Sequence, residues 1–73
     1  MRIVESSTEQ NLRGFTADDL LACVNREIKM RRRVYPRWVS EKRMTETNAF
    51  AEITKMEIIA ELLASLAAKD RLL

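Results

Sequence analysis

Four basic residues, Arg26, Lys29, Arg33 and Arg37, recur three or four positions apart. On a helix that spacing puts them on one stripe, where they could bridge phosphates and make binding salt-dependent. They belong to a wider basic segment. From Arg26 to Arg43 eight Lys and Arg stand against only Glu27 and Glu41, a local charge of +6 in a chain whose net charge is +2. Glu27 and Arg31 lie four apart and fall instead in an apolar sector with Val24, Val34 and Trp38, where an ion pair can fix the register between helices. The chain has a single thiol, Cys23, and no histidine. An internal disulfide is therefore excluded, and both the usual zinc ligands and the commonest general base are missing. Cys23 is expected as a small buried apolar residue. No Gly-rich phosphate loop, paired cysteines or nucleophile elbow occurs. The chemistry on offer is binding, so a non-enzymatic protein without metal or cofactor is expected.

The elements that must position these residues are helical. One Gly and one Pro accompany 47% hydrophobic and 33% charged residues, a balance that favours long helices joined by few turns. No apolar run approaches the ~18 residues of a membrane span, and MRIVESSTEQ lacks the apolar stretch of a signal peptide. A soluble, cytoplasmic protein that does not engage a membrane is expected. Residues 1–14 show no sustained period and are expected to form a flexible N-terminal arm.

Helical signals begin at Phe15-Thr16. Thr16 suits an N-cap, Asp19 three residues on completes a capping box, and Phe15 and Leu20 occupy the positions of a hydrophobic staple. Leu20, Val24, Ile28, Tyr35 and Val39 then keep one apolar phase across Pro36, with Leu21, Val34 and Trp38 widening it. Because proline removes a helical hydrogen bond, the helix either kinks near Pro36 or stops at about Tyr35 and restarts with Pro36 in its first turn; the preserved phase favours one kinked helix over about 17–40. Thr45 is the next N-cap. Ala49, Ile53, Met56, Ala60, Leu63 and Ala67 follow at heptad spacing, broadened by Ile59 and Leu66, and predict a second helix over about 46–69. The link between the helices, roughly Glu41 to Met44, is too short for anything but an antiparallel hairpin. Met30, Met44 and Met56 are read as gap-filling core residues.

A hairpin has one contact seam, yet Phe50, Ile58 and Leu62 lie well away from it. Small domains without disulfides or metal commonly compensate by associating. An all-α hairpin pairing as an antiparallel homodimer, a four-helix bundle, is therefore expected, with Phe50, Ile58, Leu62, Tyr35 and Trp38 at the oligomer interface. The basic stripe has two readings. It is a solvated face, meeting at most Glu46, Glu52, Glu57 and Glu61 of the second helix or another acidic partner. Alternatively it is a contact for nucleic acid. Tyr35 and Trp38 could stack bases, but their phase places them on the packing side.

The pattern Glu27-Ile28-x-Met30-Arg31-x-x-Val34-Tyr35-Pro36-x-Trp38-Val39, then Arg43-Met44-Thr45, then Ala49-x-x-Glu52-Ile53-x-x-Met56-x-x-Ile59, resembles a group of small proteins encoded by bacteriophages and prophages. The resemblance covers about residues 26–60, and its VYPxWV element is fairly specific. Those proteins usually carry Gly or a similarly small residue before the Arg-Met pair, where this chain has Lys42. The resemblance implies a phage or prophage origin and a bacterial cytoplasm, and it brings no catalytic residues with it. Together with the surplus apolar face it leads to an expected accessory protein that homo-oligomerises and binds a host or phage protein. The alternatives are a small nucleic-acid-binding module using Arg26, Lys29, Arg33 and Arg37, or an inhibitor of a host defence system.

Overall fold

The computed structural model describes residues 12–72. Of the expected arm over 1–14, the first eleven residues lie outside that range. The last three form a turn, closed by the Phe15 N–H donating to the Leu12 carbonyl at 3.1 Å. Thr16 follows in extended backbone and its hydroxyl accepts from the Asp19 N–H at 3.0 Å, while the Asp19 carboxylate accepts from the Thr16 N–H at 2.9 Å. Two donors that a helix start leaves orphaned are thus satisfied reciprocally. The staple is looser, because Phe15 stays exposed. Helix α1 runs from this cap over Ala17–Ser40 and passes through Pro36 without interruption.

Beyond Ser40 the chain reverses on a left-handed residue. Lys42 has φ 63°; its N–H donates to the Val39 carbonyl at 3.0 Å, and the Arg43 N–H reaches the Trp38 carbonyl at 2.8 Å. This pair of bonds is the Schellman arrangement, which closes the last carbonyls of a helix and usually places glycine at its turning point. Thr45 then caps α2, Glu46–Leu72, its hydroxyl accepting from the Asn48 N–H at 3.0 Å. The second helix extends three residues past the expected end. No Gly or Pro stops it, Lys69 and Arg71 suit the negative end of its dipole, and the Arg71 guanidinium donates to Asp18 at 3.0 Å.

Contacts of Asp18 with Arg71, Arg31 with Glu52 and Arg32 with Glu57 join early residues of one helix to late residues of the other, so α1 and α2 pack antiparallel. The core between them is thin. Among the described residues only Ala17, Ile28, Tyr35 and Ala67 are buried. Leu20, Leu21, Val24, Val34, Trp38, Val39, Ala49, Ile53, Met56, Ala60, Leu63 and Leu66 are half-buried, as are Met30 and Met44. Two expectations fail here. Cys23 is exposed, because its position turns it off the seam set by Ile28 and Tyr35. Ile59 is also exposed and does not broaden the seam. No helix among the described residues is long and apolar enough to cross a membrane.

Candidate interaction surface

Helix α2 presents apolar groups to both of its sides. Between Ile58 and Ala68 only Glu61 carries charge. A helix apolar all round is normally covered all round, but α1 covers one side only. On the other, Phe50 is 73% exposed, Ile58 50% and Leu62 66%. The three span about 18 Å along the helix at 1.5 Å per residue. These expected interface residues therefore lie on one helix and are open to contact.

Tyr35 and Trp38 are placed differently. Tyr35 is 8% exposed and buried within the hairpin's own seam, because its phase matches Ile28. Trp38 is half-buried and stacks on Tyr35, with ring centroids 5.6 Å apart and planes inclined by 30°. Guanidinium groups lie near both rings, Arg43 at 5.1 Å from the Trp38 centroid and Arg31 at 5.9 Å from that of Tyr35. The aromatic pair and its two cations brace the turn end of the hairpin, the stacking alone contributing about 0.5–1.5 kcal/mol.

Beside that braced end an open groove of about 620 Å³ runs between the helices. Tyr35, Pro36, Val39, Ala49 and Ile53 give it an apolar lining, Phe50 joins them, and Arg32 and Glu46 supply charge. The groove makes the exposed Phe50 ring continuous with an apolar slot that neither helix fills.

The ion pairs separate the basic residues at the helix seam from those of the stripe. The Arg31 Nε donates to Glu27 at 2.9 Å, and its Nη1 donates to the main-chain carbonyl of Glu52 at 3.2 Å, a cross-helix bond that pins the register. Arg32 pairs with Glu57 across the seam, Arg43 with Glu41 at 3.4 Å and Lys55 with Glu52 at 2.8 Å. The hydrogen bond from Lys55 lowers the Glu52 carboxyl below its ordinary 4.5; the charges of Lys55 and Arg31 add to it and outweigh desolvation. By contrast Arg26, Lys29, Arg33 and Arg37 are all exposed, and none is ion-paired with another described residue. Of the acids expected to face them, Glu57 and Glu52 are taken by Arg32, Arg31 and Lys55.

Two features escaped the sequence. The Arg31 bond to a main-chain carbonyl has no residue-type signature at position 52. Arg43 comes five residues after Trp38, a spacing without meaning until the chain reverses at Lys42. Among the described residues no group of three acidic or thiol side chains could hold a metal ion. No family model matches this chain, and neither a curated protein nor a solved structure matches it.

Proposed function

We propose that this chain is a non-enzymatic accessory protein of a bacteriophage or prophage, which pairs with a copy of itself through the outer side of α2 and acts by binding another protein. The observation that carries the reading is the exposure of Phe50, Ile58 and Leu62 on a helix whose opposite side is already used by α1. Fully burying one such side chain stabilises by about 1.5–3 kcal/mol, and a thin seam with four buried residues among those described leaves that gain to an intermolecular contact. A second copy presents the same surface, so an antiparallel four-helix bundle with two-fold symmetry satisfies both chains at once. The groove beside Phe50 offers a partner's apolar side chain a place near the turn. The resemblance of residues 26–60 to phage and prophage proteins supports the origin and a bacterial cytoplasm.

Light scattering over a dilution series tests the pairing. The expected mass at micromolar concentration is twice 8.5 kDa. Leu62→Asp places a charge in the contact and should halve it, with the helical circular dichroism retained. A wild-type mass of one chain throughout, or a Leu62→Asp mass equal to wild type, sinks the pairing through α2.

A further inference from the structure

We infer that the exposed stripe of α1 takes the sugar-phosphate backbone of a nucleic-acid duplex, and that pairing through α2 turns two such stripes outward on opposite sides; the second half rests on the proposed dimer. At 100° per residue, Arg26, Lys29, Arg33 and Arg37 point roughly 110–170° away from the buried Ile28 and Tyr35. They cover about 16 Å of helix length. Between Ala22 and Ser40 that outer sector carries no carboxylate, since Glu27 is turned toward Arg31. Arg31, Arg32, Arg43, Lys55 and Arg71 each have a carboxylate partner, while these four have none among the described residues; Arg13, Lys42 and Lys69 also lack one, but they lie off the stripe. A row of positive charge without a carboxylate partner among the described residues, carried on a rigid element, complements a row of phosphates.

Three observations select a duplex. Single-strand readers stack bases on aromatic rings, but here Tyr35 and Trp38 stack on each other on the seam side of α1. A membrane-surface helix lays its apolar side on the lipid beside its basic residues, and α1's apolar side is covered by α2. Phe15, which lines a pocket with Arg26, is the single large exposed apolar group beside the stripe among the described residues; Phe50, Ile58 and Leu62 project from the opposite side of the hairpin, so stripe and main apolar surface do not meet one membrane together. A duplex needs neither stacking nor burial, only charge at phosphate reach.

The test is fluorescence anisotropy of a labelled 20-base-pair duplex of arbitrary sequence, titrated with full-length protein between 50 and 200 mM salt. Four phosphate contacts give a log–log salt slope of about −3.6, so affinity falls about 150-fold over that range. The double variant Arg33→Ala/Arg37→Ala should bring the slope to about −1.8. Lys55→Ala/Lys69→Ala removes the same net charge from α2 and should leave it unchanged. Equal losses in both double variants mean attraction by net charge alone and overturn the assignment, as does capture by phosphatidylserine vesicles without duplex binding. For the outward pair, a donor-labelled and an acceptor-labelled duplex should show energy transfer with wild type and none with Leu62→Asp, which keeps its slope. A two-chain mass without transfer overturns the opposed arrangement and leaves the dimer standing. A one-chain mass with the slope intact removes the dimer and leaves the stripe.

Discussion

Replacing Lys42 with glycine should make the hairpin more stable, although it deletes a side chain and adds none. Lys42 sits at φ 63°, where a Cβ crowds the neighbouring carbonyl, at a cost of roughly 1–2 kcal/mol for a residue other than glycine. The conformation is held because the Lys42 and Arg43 N–H groups close the end of α1 on Val39 and Trp38. Glycine removes the strain but gives the unfolded chain more freedom, a penalty of roughly 0.5–1 kcal/mol. The net expectation for Lys42→Gly is a gain of about 0.5–1 kcal/mol. At about 4–8 °C per kcal/mol for a domain of this size, the melting midpoint rises by several degrees. The helical circular dichroism signal should be followed at one fixed protein concentration, since self-association makes the midpoint concentration-dependent. Lys42→Ala is the control. It deletes the same charge and stem yet keeps the Cβ, and so should show no comparable rise. If alanine stabilises as much as glycine, or glycine lowers the midpoint, backbone strain at the turn is the wrong account.

Two further outcomes follow from the ion pairs. Arg31→Met should cost about 1–3 kcal/mol, read from the urea midpoint, because it removes the bonds to Glu27 and to the Glu52 carbonyl together; Arg31→Lys should fall between, since an ammonium lacks the fork that serves both acceptors. The lowered carboxyl of Glu52 means that its contribution to stability is complete above the unfolded value near 4.5 and is lost as pH falls through the lower folded value. The stability difference between wild type and Glu52→Gln should therefore be constant near neutrality and shrink on acidification below that point; a difference that grows on acidification refutes the sign.

What the sequence made legible was local. Thr16 with Asp19 and Thr45 with Asn48 are contacts over three residues, and the Glu27–Arg31 pair spans four. Such pairs need only a helix to meet, so their spacing states them outright. The short link between the helices was enough to set their antiparallel packing. The exposure of Cys23 was missed because thiol burial is an average over proteins, whereas this residue's angle from Ile28 and Tyr35 decides its own case. Ile59 lies at the edge of its sector, where a small rotation of a helix moves a side chain between seam and surface. The partnering of Arg32 with Glu57 and of Arg71 with Asp18 depends on how far one helix slides along the other. That sliding distance is set by packing and by the left-handed turn at Lys42, neither of which any short window of residues encodes.

The Arg31 bond that crosses between the helices at this register ends on a peptide oxygen, and every amino acid supplies one. A change of side chain at position 52 therefore leaves this bond in place, even where it removes the carboxylate that Lys55 holds, whereas loss of the guanidinium at 31 removes it. A shift of the helices by one turn would present another carbonyl about 5.4 Å away, just as good an acceptor. What opposes that slip is the packing of Ile28, Tyr35 and Ala67 in the seam, together with the pairs of Arg32 with Glu57 and of Arg71 with Asp18, which a shift of one turn would separate.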